Sequence, residues 1–143
     1  MTLDLSAPIR LSLLENAEIC DFLHDFKGSP AIFTRRPLPE NAPYICLAIS
    51  PDIAIGNEDA LISLRPIVTR DVVVYGRQPD DYRDVEACGY LIRDHFHKKR
   101  FSIQPEGYSV IEIVASGPIP APTDDVKTVA RLVGLNIRLQ RRP

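Results

Sequence analysis

Residues 129–140 read Val-Ala-Arg-Leu-Val-Gly-Leu-Asn-Ile-Arg-Leu-Gln. Val133, Leu135, Ile137 and Leu139 fall on one side of an extended chain, and Leu132, Asn136, Arg138 and Gln140 on the other. That alternation marks a half-buried antiparallel strand, apolar inward and polar outward. A strand of this kind needs a second layer over its apolar face. Residues 81–98 supply it, because Tyr82, Val85, Gly89, Ile92 and Phe96 recur at spacings of three and four and share one helical face. Arg83, Asp84, Glu86 and Arg93 take the solvent side. Asp80, Asp81 and Asp84 at the helix start, and Lys98, Lys99 and Arg100 at its end, both complement the helix dipole.

Working outward, the 13 prolines mark the boundaries of elements. Short helices are expected over 7–15 and 17–26, the second capped by Asn16 and closed by Gly28. Strands are expected over 31–34, 44–49, 61–75 with an interruption at Pro66, and 110–115. Residues 51–59 and the stiff run Ser116 to Asp125 are expected as loops. The order is α-α-β-β-β-α-β-β. It predicts a single α+β domain with a mostly antiparallel or mixed sheet of four to five strands, and two to three helices on one face.

With 143 residues, 45% of them hydrophobic and 25% charged, the chain is one domain long and ordinary for a folded protein. No apolar run approaches the ~18 residues a membrane span needs, and no signal-peptide pattern opens the chain, so a cytoplasmic product is the expectation. The net charge of −2 gives no general case for nucleic-acid binding. The charge is uneven, however. Residues 1–96 hold 9 basic and 15 acidic residues, and residues 97–143 hold 8 and 4. Two regions of opposite sign allow head-to-tail stacking on a second copy or docking on complementary surfaces.

Motifs of catalysis are missing: there is no P-loop, no G-x-G-x-x-G, no G-x-S-x-G and no H-E-x-x-H. His95 and His97 splay on a helix end and read as solvated surface histidines, with no shared metal. Cys20, Cys46 and Cys88 lie in apolar segments and read as small buried hydrophobes. The acidic pairs Glu58-Asp59, Asp80-Asp81 and Asp124-Asp125 read as solvated loops or a helix cap. No catalytic, metal or cofactor site is expected. Arginine outnumbers lysine 13 to 4, which suits surfaces that contact other subunits or pass a phosphate backbone. The candidate contact residues are Arg35, Arg36, Ile53, Ile55, Pro118, Pro120, Arg138, Arg141 and Arg142.

A short helical start (Ile9 to Leu14) leads to a small helix ending near Phe26. The phenylalanine strand with Arg35 follows, then the loop Pro37-Leu38-Pro39-Glu40-Asn41-Ala42-Pro43-Tyr44-Ile45, the β-rich run Asp71 to Tyr75, the helix 81–96 and a closing hairpin. This order resembles the tail terminator, or tail-completion, proteins of long-tailed phages and of gene transfer agents. The resemblance implies a structural, non-enzymatic role without cofactor. Its expected form is a hexameric ring that ends the tail tube and meets the head-side connector, made in the cytoplasm and then built into the particle. The implied partners are further copies of itself, the tail tube protein, the connector or stopper, and DNA passing through the lumen without sequence-specific binding. The proline-rich run 116–123 is longer than that family's hairpin and reads as a contact arm. Other readings stay open: a stopper, adaptor or minor tail protein, a small α+β enzyme or ligand-binding module, and a regulatory dimer.

Overall fold

In the computed structural model, the described residues are 5–34, 38–39, 41–50, 54–57, 65–123 and 126–142. Three long strands form the spine of the sheet: β6 (Pro66–Arg77), β7 (Tyr108–Pro120) and β8 (Thr128–Arg141). β8 lies between the other two and pairs antiparallel with both, from Ile67↔Arg138 to Arg77↔Thr128 on one side and from Tyr108↔Arg141 to Pro120↔Arg131 on the other. On the far edge of β6, β4 (Cys46–Ile49) pairs with Val72 to Tyr75, and β5 (Ala54–Asn57) pairs with Pro66 to Thr69. β3 (Ile32–Phe33) runs parallel to β4 and makes the sheet mixed. The main sheet therefore has six strands, one more than expected. A separate two-stranded ribbon joins β1 (Asp25–Phe26) to β2 (Ser29–Pro30).

The alternation in β8 holds residue by residue: Val133, Leu135, Ile137 and Leu139 are buried, and Asn136, Arg138 and Gln140 are exposed. Their apolar side joins Val68, Val72 and Val74 of β6 and Ile113 of β7 in one core. Helix α3 (Tyr82–Phe96) covers that face with Val85, Cys88, Ile92 and Phe96. Tyr82 departs from the expected stripe: it is 45% exposed, with the Arg131 guanidinium 5.0 Å from its ring centre. Helices α1 (Ser6–Leu14) and α2 (Ala17–Phe22) lie on the same side and contribute Ile9, Leu13 and Ile19. Each fully buried aliphatic adds roughly 1.5–3 kcal/mol of transfer free energy.

Three expected boundaries shift, each for a backbone reason. α2 ends at Phe22 rather than Phe26, because Leu23 is already extended and the His24 N–H donates to the Ile45 carbonyl at 3.1 Å. Gly28 does not close a helix: Lys27 (φ 53°) and Gly28 (φ 84°) form the two-residue turn between β1 and β2, where both positions need the left-handed region. Residues 54–57, expected in a loop, are strand because β6 runs on past β4 and offers them a free edge. β7 likewise continues through Pro118 and Pro120. It is the edge strand, where a residue without an N–H leaves no ladder bond missing. The register shifts between Ser116 and Ile119, and there Gly117 (φ 104°) is required, since a Cβ would meet the Leu132 carbonyl oxygen at 2.6 Å.

Candidate assembly surfaces

Helix α3 stops at His97, whose backbone turns extended, and Lys98 (φ 61°) swings the chain back toward the sheet. The Lys98 N–H donates to the Ile113 carbonyl at 2.9 Å, so the turn is tied to the middle of β7. The next residues wind tightly, with the Lys99 N–H on the Phe96 carbonyl and the Ser102 N–H on the Lys99 carbonyl. This winding leaves Phe96 buried and Phe101 74% exposed. Between the turn and the β7 bulge at Ile111 lies an open groove of about 780 Å³. Phe101, Ile111 and Ile113 give it an apolar floor, and Lys98, Lys99 and Arg100 stand on its rim. Several of its polar groups bond within the chain. Lys98 Nζ donates to Glu112 Oε1 at 2.7 Å, Lys99 Nζ to the Asp94 carbonyl, and Ser102 Oγ to the Lys99 carbonyl. The Lys98 ammonium, aided by Arg138 and His97, holds the Glu112 carboxyl below its ordinary range.

The C-terminal arginines lie along the β7–β8 ladder. Arg138 sits opposite Glu112 and Arg141 opposite Tyr108 in the β7–β8 ladder, while Arg142 Nε donates to Ser109 Oγ at 3.2 Å. Arg138, Arg141 and Arg142 are all exposed. Arg138 thus acts on the Glu112 carboxyl together with Lys98, a cation that sequence reading assigned only to the helix dipole. The signal that could have found the groove is Phe101, an aromatic placed directly after three cations. Of the other candidates, Pro120 is exposed at the far end of β7, and Pro118 turns toward α3, where Gly89 leaves room for its ring. Ile55 lies in β5 opposite Val68. Arg35, Arg36 and Ile53 lie outside the described residues.

The two histidines are not solvated surface groups. His95 Nδ1 is 3.0 Å from Asn16 Nδ2 and His95 Nε2 is 2.8 Å from Ser12 Oγ. The amide nitrogen can only donate, so the neutral tautomer carries its proton on Nε2 and donates it to Ser12. Burial, reinforced by Lys99, holds the His95 pKa below its ordinary value. His97 Nδ1 accepts the Ala115 N–H at 3.2 Å and closes part of the exposed β7 edge. These partners lie far away in sequence, which is why reading the chain misses them. Cys46 and Cys88 are buried, and burial pushes both thiols up to about 12; Cys20 is also raised, chiefly by burial. None has the lowered pKa of an activated nucleophile. Asp81 Oδ2 accepts the Arg77 N–H at 2.9 Å in the turn before α3. The pairs Glu58-Asp59 and Asp124-Asp125 lie outside the described residues. Among the described residues no three acids, histidines or cysteines converge as a metal site would require, and no helix is long and apolar enough to cross a membrane.

The architecture is thus an α+β domain with helices on one face of a mixed sheet, and the end of α3 carries an open, cation-rimmed apolar groove. No family model matches this sequence, and no curated protein matches it. Among solved structures, one chain of the virion of a native gene transfer agent particle has the same fold. The TM-score is 0.74 over 96% of this chain and 95% of that one, at 10% sequence identity. At that identity the likeness is one of fold.

Proposed function

We propose that this protein is a non-enzymatic structural component of a phage-like particle. In that role a tail-terminator-like domain over residues 1–143 forms a hexameric ring, which ends the tail tube and joins it to the head-side connector. The observation that carries this reading is the end-to-end match of fold to a chain of a gene transfer agent virion. The surfaces agree with it, because exposed apolar side chains at a groove rimmed by cations suit contact with other protein chains. In this reading Arg35, Arg36, Ile53, Ile55, Pro118, Pro120, Arg138, Arg141 and Arg142 contact neighbouring subunits, the tail tube protein or the connector. DNA passes through the lumen without sequence-specific binding, and the protein moves from the cytoplasm into the finished particle.

A ring that caps a polymer must stop its growth, whereas an adaptor further toward the head need not. Deleting the gene in the producing cell is therefore expected to yield tail tubes of uncontrolled length, free of heads, when particles are imaged by electron microscopy. Tubes of normal length seated on heads would overturn the proposal.

A further inference from the structure

Three helices meet at one imidazole. His95 stands in the last turn of α3, Ser12 belongs to α1, and Asn16 is the residue that caps α2. The ring packs edge-on against Phe96, with 4.7 Å between ring centres. Asn16 is committed at both ends of its amide. Its Oδ1 accepts the Ile19 N–H at 3.1 Å, which leaves Nδ2 to donate to His95 Nδ1 at 3.0 Å. The cap thus fixes the amide, and the amide fixes the tautomer, with Nε2 donating to Ser12 Oγ at 2.8 Å. Because Nε2 is the donor, it cannot draw a proton from the Ser12 hydroxyl, which is what activating a nucleophile would require. Beyond this cap α2 has few bonds. It is six residues long, with the Cys20 N–H on the Asn16 carbonyl and the Leu23 N–H on the Cys20 carbonyl, each at 3.0 Å. A helix so short holds its form only through its caps and packing.

We infer that His95 is an acid switch for the N-terminal corner: one proton on Nδ1 turns the Asn16 amide away, strips α2 of its cap and loosens α1 and α2 from α3. The step follows from counting donors. A protonated imidazole donates from both nitrogens. The Ser12 bond survives, but Nδ1–H then faces the Asn16 amino group, donor against donor. Turning the amide over restores a bond to His95 only by withdrawing Oδ1 from the Ile19 N–H. The cap of α2 and the proton on His95 are therefore mutually exclusive. Burial resists the proton most, Lys99 resists it from the turn after α3, and Glu15 at the end of α1 favours it. The other charged groups around the ring are engaged or in solvent. Arg10 of α1 donates to the Ile32 carbonyl, Glu18 and Asp21 of α2 are exposed, and Asp94 of α3 is exposed. Across the groove, Lys98 pairs with Glu112 of β7 and Arg100 stacks on Phe101, while His97 accepts the Ala115 N–H. His95 also lines that groove, so proton uptake adds a positive charge beside Lys99 as the corner loosens. The device does not depend on the ring-forming reading.

Nuclear magnetic resonance of the full chain reads both ends of this relay during an acid titration. The His95 ring carbons and the Ile19 amide are expected to titrate with one shared midpoint, below the ordinary 6.5, the Ile19 proton moving upfield as its bond is lost. In His95→Gln the Ile19 amide is expected to hold its position through the same range. Asn16→Asp is expected to reverse the coupling. A carboxylate accepts from the Ile19 N–H and from a protonated Nδ1 at once, so the His95 midpoint rises and Ile19 stays bonded. An Ile19 amide that does not move as His95 titrates overturns the inference, and so does one that still titrates in His95→Gln. An Asn16→Asp chain in which the His95 midpoint fails to rise overturns it as well, as does a His95 ring that takes up no proton before the whole chain unfolds. Circular dichroism at pH 7.5 shows whether each variant is folded; where one is not, the wild-type titration decides alone.

Discussion

Helix α3 is held on its two sides by different chemistry. Toward the sheet it presents Val85, Cys88, Ile92 and Phe96, all buried, against the valines, leucines and isoleucines of β6, β7 and β8. Toward α1 and α2 it presents His95, whose two ring nitrogens bond Ser12 and Asn16. The first joint is apolar and indifferent to pH. The second is polar, and its Asn16 bond exists only while the imidazole is neutral, since Nδ1 must accept the Asn16 side-chain N–H. The first joint carries most of the stability, and the second sets where the helical corner sits on it.

The largest effect should therefore come from the apolar joint. Ile92→Ala leaves a cavity between α3 and the sheet and is expected to cost ~2–5 kcal/mol, read as a lower urea midpoint with unchanged slope. A loss no larger than that of an exposed substitution would break the assignment of α3 as the principal cover of the sheet. The polar joint comes next. The Asn16 side chain serves twice, accepting the Ile19 N–H at 3.1 Å as the cap of α2 and donating to His95. Asn16→Ala removes both bonds, and chemical denaturation should show a loss of about 1–2 kcal/mol. Restoring the cap alone with Asn16→Asp should recover only part of it, because a carboxylate has no proton to give His95.

The two joints also separate by pH. His95 is held below its unfolded value of 6.5, first by burial and then by Lys99, with Glu15 and the Ser12 bond opposing. Between the folded and unfolded pKa values the unfolded chain binds more protons, so stability present above about pH 6.5 declines as the pH falls through that window. Thermal melts at pH 7.5 and 5.5 should show a drop for the wild type that is smaller in His95→Gln. Equal drops in the two proteins would mean that the imidazole is not the titrating group.

The same contrast explains what could be read from the sequence. β8 and α3 announce themselves because each repeats one period for a dozen residues, Val133-Leu135-Ile137-Leu139 and Val85-Gly89-Ile92-Phe96, and apolar packing follows period. The short strands carry no period. Phe26-Lys27-Gly28 fits both a helix end and a hairpin, since each wants glycine in the left-handed region, and only the docking of His24 on Ile45 decides between them. Residues 116–120, expected as part of a loop, continue β7 because proline is excluded from central strands but tolerated on an edge, and edge position is a property of the whole sheet. Ser12 and Asn16 lie 83 and 79 residues from His95, and the groove at Phe101 is built from two segments, so neither site has a local signature.

The smallest expected effect sharpens the distinction between structure and surface at the groove itself. Lys98 and Glu112 form a short ion pair at 2.7 Å, yet their side chains are 61% and 38% exposed. Water and salt screen charges so placed, and holding two long side chains together costs entropy that offsets the attraction. The backbone bond from Lys98 to Ile113, which fixes the turn, does not need the carboxylate. Glu112→Gln should therefore leave the melting temperature within error of the wild type, at low and high salt alike. A clear, salt-dependent fall would mean that the pair helps hold α3 to β7, and that the groove's rim belongs to the fold rather than to its contacts.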